Sequence, residues 1–149
     1  MSATIAATTL RETGKHRLGT AVLSNVGLLG RIFYSAIFIM AGPNHFRAEI
    51  IGFAAAQGVP LASITVPLSG IIALLGGLSI ALGYRAKLGA WLIVLFLIPV
   101  TLTLHRFWGL SDPQLTALQQ GMFMKNLAML GAALIIARVG SGPLSLKQD

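Results

Sequence analysis

The chain of 149 residues is 55% hydrophobic and only 10% charged, and its mean hydropathy is +0.80. Soluble domains carry about 25% charged residues, so this composition argues against a soluble helical protein. The net charge is +7 and cysteine is absent, which excludes thiolate nucleophiles, disulfide exchange and cysteine-ligated zinc or iron–sulfur centres within the chain.

Four long apolar segments dominate the sequence, at about residues 22–42, 61–82, 88–104 and 121–137, and the helix that contains the fourth is predicted to run over about 113–139. Each is close to the ~17–25 residues that a helix needs to cross the hydrocarbon core of a bilayer. The pattern predicts an all-α membrane protein, a four-transmembrane-helix bundle in the lipid bilayer. Residues 21–140 form the predicted bundle, residues 1–20 an N-terminal tail and residues 141–149 a C-terminal tail.

The first segment is predicted to begin near Ser24, which can cap a helix, and to end at Gly42 and Pro43, which stop helices. Arg31 lies a third to half of the way along it. Either this charge forms an anion or headgroup site inside the bundle, or its guanidinium reaches the membrane surface along apolar neighbours. Residues 46–56 are amphipathic and are expected to lie in the interface as a half-helix.

The second segment carries small residues four apart on one helix face. Close approach of helix backbones in lipid depends on such small residues, because packing replaces the hydrophobic effect as the driving force. The segment is therefore predicted to lie at the centre of the bundle. The predicted packing residues are Ser69, Ala73, Gly77 and Ala81, with Gly70 and Gly76 beside them.

The third and fourth segments are separated by a loop with clear boundary signals. Pro99 lies within the third segment and is expected to kink it. Trp108 fits an aromatic belt at the membrane surface. Asp112 followed by Pro113 is the pattern of a helix cap with proline at the first helical position, so the fourth helix is predicted to begin there.

Basic residues lie mainly in three stretches that this topology places on one side of the membrane. The loops at 43–60 and 105–120 carry fewer basic residues, accompanied by Glu49 and Asp112. The positive-inside rule then predicts that both termini are cytoplasmic, and it explains the net charge without a nucleic-acid partner. The basic residues on the predicted cytoplasmic side are Arg11, Lys15, Arg17, Arg85, Lys87, Arg138 and Lys147.

Polar residues with hydrogen-bonding side chains are predicted to meet at the outward end of the bundle. A quinone ring needs hydrogen-bond donors at its carbonyls and an apolar channel for its tail, and this cluster offers both. Interfacial residues that face water are the alternative. The candidate ligand- or quinone-binding residues are Arg31, Asn44, His45, His105, Arg106, Trp108, Lys125 and Asn126, with Gln119 and Gln120 nearby.

Lys125 lacks an acidic residue in any of the four segments to neutralise it. It is expected to reach the outer surface, a partner chain, backbone carbonyls or a bound anion. Asn126 is interpreted first as a hydrogen bond between helices. The spacing of His45 and His105 matches no metal motif, so no metal site and no catalytic residue are predicted.

The sequence resembles the DoxX family of small four-helix membrane proteins. The similarity spans about residues 25–147 and is strongest at 121–131, which contains Lys125 and Asn126, and at the Gly/Ser-rich stretch 140–146. Further similarities are Arg31 and Gly42 in the first segment, Gly58 to Pro60, Gly76 to Gly83, and His105 with Phe107.

The sequence departs from the family pattern at three positions. Ala73 stands where many members have an acidic residue, His45 where many have lysine, and Lys147 where an acidic residue is usual. The resemblance implies membrane redox systems, such as a subunit of a thiosulfate:quinone oxidoreductase or a partner in oxidative-stress complexes. Other related proteins act in cargo handling.

Three functions are compatible with these features. The first is a non-catalytic subunit of a quinone-linked redox complex in the bacterial inner membrane, which holds other membrane subunits, or a second copy of itself, or a quinone near the outer leaflet. The second is a quinone- or small-molecule-binding oxidoreductase, with His105 as proton donor and Lys125 and Arg31 stabilising anionic oxygen. The third is a transporter of small molecules or lipids. Quinone is the one cofactor considered, and the chain itself offers no ligands for another.

Overall fold

The computed structural model describes residues 2–147, with side chains at position 19 and from position 21 onward. The described chain is mostly helical, and within it one isolated β-bridge joins Tyr84 to Lys147. Five α-helices and one 3₁₀-helix follow one another. They are α1 (Ser2–Ala41), the 3₁₀-helix (Gly42–Phe46), α2 (Ala48–Ala56), α3 (Ala62–Leu82), α4 (Ala86–Leu104) and α5 (Pro113–Val139).

The four predicted membrane spans are confirmed. Helices long and apolar enough to cross a bilayer occupy Ala21–Phe46, Ala62–Leu82, Ala86–Leu104 and Pro113–Val139. The predicted half-helix also forms, as α2. Asp112 caps α5 as expected: its side chain accepts hydrogen bonds from the backbone N–H groups of Gln114 and Leu115, and Pro113 follows it.

The first helix begins much earlier than predicted. The sequence indicated a start near Ser24 and an N-terminal tail over residues 1–20, whereas α1 is continuous from Ser2 to Ala41. No proline precedes Pro43, so nothing in the sequence forces a break before the 3₁₀-helix. The capping ability of Ser24 was therefore a misleading boundary signal, because a helix-compatible residue can also sit in a helix interior.

Helix α3 is the centre of the bundle, as predicted. Helix α1 packs on one side of α3 and α4 on the other, and α5 packs on α4. The short helix α2 lies over the first turns of α3, where Ala54 is buried with Ala62 and Val66. The main core lies between α1, α3, α4 and α5, and its buried members are Phe38, Ala73, Ile80, Ala90, Ile93, Val94, Phe96, Leu97 and Ala133.

Close helix approach depends on glycines more than on the predicted stripe as a whole. A Cβ at Gly70 would lie 2.6 Å from His45 Cβ, and one at Gly76 would lie 2.9 Å from the carbonyl oxygen of Gly89. A Cβ at Gly77 would lie 3.1 Å from Phe38 Cβ. Gly70 and Gly77 thus allow the first span to approach α3 closely, while Gly76 allows the close approach of α4 on the other side.

The four predicted packing residues differ in burial. Ala73 and Gly77 are buried in the bundle, whereas Ser69 and Ala81 are only partly buried. Ser69 uses its hydroxyl to donate to the carbonyl of Val66 in its own helix.

We expect Gly76→Leu to lower the free energy of unfolding by about 1–3 kcal/mol or more, because overpacking forces the backbones of α3 and α4 apart. Gly131→Leu is the matched control, since a Cβ at that helical glycine meets nothing within 4 Å. Reversible unfolding of both variants in mild detergent provides the comparison. Equal stability of the two variants would show that the α3–α4 contact is not tight.

Candidate functional site

Arg31 is buried, with 6% of its surface exposed, and it binds the C-terminal segment of the chain. Its Nη1 donates to the carbonyl of Ser141 and, at 2.9 Å, to Ser145 Oγ. Its Nη2 donates to the carbonyl of Leu144 at 2.7 Å, with a longer contact of 3.4 Å to that of Pro143. The guanidinium is therefore surrounded by neutral oxygens that come from residues more than a hundred positions away.

The contact between Arg31 and residues 141–147 lies where two helices end. Gly83 ends α3 in a left-handed conformation, with φ of 62°, and a Cβ there would collide with Arg31 Nη1. Leu146 and Lys147 donate their backbone N–H groups to the carbonyls of Leu82 and Gly83. The carbonyl ends of α3 and α5 carry partial negative charge, which stabilises a cation placed there.

Arg31 consequently stands apart from the other candidate ligand residues. The sequence placed it partway into the membrane, as an anion site or a side chain that reaches the surface. The structure instead places it level with the α3–α4 turn, where it binds carbonyl groups of its own chain. Its role in this structure is to attach the C-terminal segment to the bundle.

Four of the predicted residues line one cavity of about 220 Å³ between α1, α4 and α5. We call it the histidine cavity. The first span contributes His45, α4 and its end contribute His105, and α5 contributes Lys125 and Asn126. The rest of the lining is apolar and consists of Ile37, Phe38, Ala41, Phe96, Leu97, Val100, Leu104 and Met129.

Both histidines are oriented by a hydrogen bond at Nδ1. In His45 this atom lies 3.0 Å from the carbonyl oxygen of Ala41, which can only accept, so Nδ1 carries the proton. In His105 it lies 3.0 Å from Gln119 Oε1, which accepts in the same way. When neutral, each ring therefore presents Nε2 as a hydrogen-bond acceptor, and donation from Nε2 requires the imidazolium form.

Lys125 and Asn126 supply donors to the same cavity. Lys125 is exposed, and its ammonium contacts Met122 Sδ at 3.3 Å. Asn126 is buried as a residue, but in the described part of the chain the buried side-chain atoms without a hydrogen-bond partner are Arg31 Nε and Ser35 Oγ. Asn126 lines the histidine cavity, where its amide can donate to a ligand.

The remaining predicted residues lie closer to the end of the bundle. Arg106 and Trp108 line another cavity of about 400 Å³, together with Gln119. Leu104 is the one lining residue that this cavity has in common with the histidine cavity. Trp108 stacks edge-on against Phe107 and Phe123, with ring centroids 5.3 and 5.9 Å apart. Asn44 is exposed in the 3₁₀-helix, and Gln120 is exposed on α5.

Sequence reasoning missed an aromatic row beside the histidine cavity. Tyr34 packs on Phe38, Phe38 on Phe96, and Phe96 on the ring of His45, with centroids 5.4, 6.2 and 5.6 Å apart. The Tyr34 hydroxyl donates to the carbonyl of Met129 at 2.9 Å and so joins α1 to α5. The four-residue spacing of Tyr34 and Phe38 was the signal that could have revealed a shared helix face.

Helices α1 and α5 both border the histidine cavity but contact each other only loosely. Helix α1 packs closely on α3, and α5 on α4, whereas α1 and α5 make few close approaches in the described chain. The histidine cavity lies beside this loosely packed pair of helices. Within residues that the structure describes, no group of three histidine or acidic side chains is arranged as a metal would require.

These observations define an integral membrane protein, a four-helix bundle with a largely apolar cavity between α1, α4 and α5 that carries four polar side chains. A DoxX family model matches residues 26–106, more than half of the chain, and the chain therefore belongs to the DoxX family. The match includes Arg31, His45 and His105. The similar stretches at 121–131 and 140–146 lie beyond the matched residues.

Among curated proteins, the chain is similar to the ER-derived vesicles protein ERV29 of Saccharomyces cerevisiae. The two are 26% identical over 78 residues, which is 52% of this chain and 25% of that protein. The chain thus covers about a quarter of that relative's length. No solved structure matches the chain.

We expect Arg31→Lys to release the C-terminal segment, because an ammonium cannot reproduce the hydrogen bonds that the two arms of the guanidinium make. Hydrogen exchange of residues 141–147 is expected to rise at least about tenfold, since each hydrogen bond to a charged group contributes about 1.5–3 kcal/mol. Arg47→Lys, at an exposed position, is the control. Unchanged protection in Arg31→Lys would contradict the assigned role.

Proposed function

We propose that this protein is a non-catalytic membrane subunit of a quinone-linked redox complex, and that it holds the quinone head in the histidine cavity. The observation that carries the proposal is that the buried residue Asn126 lines the histidine cavity together with Lys125, His45 and His105. Quinone carbonyls are hydrogen-bond acceptors, and amide and ammonium donors are suited to them.

The donors and acceptors of the cavity fit a quinone in both of its stable forms. Lys125 and Asn126 can donate to the carbonyls of the oxidised ring. The Nε2 atoms of neutral His45 and His105 can accept from the hydroxyls of the reduced ring. Bound there, the quinone would supply two-electron redox chemistry, while these side chains orient its ring.

The charge of the cavity supports the same ligand class. Its lining contains an ammonium, an amide and two imidazoles, and no carboxylate. A cationic ligand would meet repulsion from Lys125, whereas a neutral or anionic oxygen would be attracted. The ligand is therefore expected to present oxygen acceptors, as a quinone does.

A partner would have to deliver the electrons. The chain has no cysteine, and His45 and His105 are oriented by hydrogen bonds within the protein. We propose that other membrane subunits supply the redox centre and pack against α1 or α5. These two spans bury the least of their surface inside the bundle, with 17% and 11% of their most apolar windows buried.

We further propose that the protein lies in the bacterial inner membrane with both termini in the cytoplasm. The end of the bundle that carries Arg85, Lys87 and Arg138 is the more basic one, which supports this orientation through the positive-inside rule. A reporter fused after the last residue is expected to be active on the cytoplasmic side. Activity on the opposite side would overturn the orientation.

We expect the purified full chain in mild detergent to bind a tailless 1,4-benzoquinone, and Asn126→Leu to weaken that binding about tenfold. Loss of one hydrogen bond to a ligand costs about 1–1.5 kcal/mol, which corresponds to that factor. Lys125→Gln is expected to act in the same direction. Lys147→Gln, exposed at the opposite end of the bundle, is the matched control.

Titration calorimetry provides the measurement, and mass spectrometry of the purified protein identifies what it carries. Equal affinity in wild type and Asn126→Leu would remove the cavity as the binding site. A protein that binds no quinone and carries only lipid would favour a lipid-handling function instead.

A further inference from the structure

A second cavity of about 310 Å³ lies beneath α2, between α2, α3 and α4. We call it the α2 cavity. Its size is at the lower end of the ~300–1,000 Å³ range of small-molecule sites. It is lined by His45, Ile50, Ala54, Val59, Pro60, Thr65, Val66, Ser69, Pro99, Val100, Thr103 and Leu104.

The α2 cavity offers almost no hydrogen-bonding group to a ligand, although three hydroxyl side chains line it. Thr65 donates to the carbonyls of Pro60 and Leu61, Ser69 to that of Val66, and Thr103 to that of Pro99. Because each hydroxyl proton is already used locally, the wall is apolar in effect. Such a space favours hydrocarbon over a polar group.

His45 forms part of the wall of both cavities, together with Val100 and Leu104. Its position is fixed, because its Cβ occupies the space that a side chain at Gly70 would fill. With Nδ1 bonded to Ala41, its Nε2 is the remaining polar atom at the junction. The cavity that carries the histidine, lysine and asparagine side chains thus adjoins a more apolar one across a wall formed by His45, Val100 and Leu104.

We propose that the α2 cavity holds the hydrocarbon tail of the quinone whose head lies in the histidine cavity, so that the natural ligand is a long-chain quinone. This inference rests on the proposed function. The occupant follows from adjacency: a head beside His45 lies against the wall of His45, Val100 and Leu104 that the two cavities share, and the space on the other side of that wall matches a hydrocarbon tail. Helix α2 covers that space on the side away from the bundle core.

The test uses quinones that share one ring and carry a tail of no, one, two or four isoprene units. In the wild-type chain, addition of the first units is expected to tighten binding at least about tenfold, since each buried methylene contributes about 0.8 kcal/mol. The full chain is titrated in one detergent, so that partition into micelles is the same for every variant.

Thr65→Phe fills the α2 cavity from its exposed rim and is expected to abolish the gain from the tail while the tailless ring binds as in wild type. Thr116→Phe is the matched control, because Thr116 makes the same kind of intrahelical hydroxyl bond on α5 and lines neither cavity. Ser69→Phe is a second, independent filling variant, and it should behave as Thr65→Phe does.

The possible results separate the two proposals. If the tailless ring binds but the tail adds the same affinity in wild type, Thr65→Phe, Ser69→Phe and Thr116→Phe, the tail assignment is wrong and the head site stands. If no member of the series binds the wild-type chain, the proposed function fails and the tail assignment fails with it. Displacement of a co-purified phospholipid by cavity filling, without any effect on quinone binding, would assign the α2 cavity to a lipid chain instead.

Discussion

The burial of Arg31 against carbonyl groups is the constraint on which the rest of the bundle depends. The guanidinium has no acidic partner in the described chain, and it is stabilised by the oxygens of residues 141–145 and by the carbonyl ends of α3 and α5. Removal of those oxygens would leave a buried charge without compensation, which is among the most costly defects in a protein interior. The interaction therefore fixes the depth of α1 relative to α3 and α5.

The depth of α1 explains why the cavities exist. From Arg31 to Gly42 the helix rises only about 16 Å, whereas the 21 residues of α3 span about 31 Å. The first span therefore ends beside Gly70, short of the N-terminal end of α3. The 3₁₀-helix turns the chain at that level. Helix α2 covers the space that α1 leaves empty, and both the histidine cavity and the α2 cavity adjoin His45 in the 3₁₀-helix that follows α1.

The sequence predicted the features that follow from local chemistry. Length and hydropathy predicted four spans, Asp112 and Pro113 predicted the start of α5, and amphipathicity predicted α2. It could not predict the partners of Arg31, because they are backbone carbonyls, which every residue possesses, from a segment far along the chain. Ser24 likewise suggested a helix start that the continuous α1 does not have.

The sequence could also group only some of the candidate site residues correctly. Topology alone brought His45, His105, Lys125 and Asn126 to one end of the bundle, and these four line one cavity. Topology does not give rotation about a helix axis, so it could not separate Arg106 and Trp108, which line another cavity. The predicted packing residues of α3 show the same limitation. The four-residue spacing correctly indicated Gly77, but it also indicated Ser69, whereas the close contact with the first span occurs at the neighbouring Gly70.

Photoaffinity labelling in native membranes tests the central claim, that a quinone binds at the seam between α1 and α5, most directly. An azido-substituted long-chain quinone would be cross-linked to the full chain, and the modified peptides mapped by mass spectrometry. We expect labelling around His45 and Asn126 that an excess of unmodified quinone displaces. Labelling that is not displaced, or that is confined to the end of the bundle occupied by Arg31 and Gly83, would contradict it.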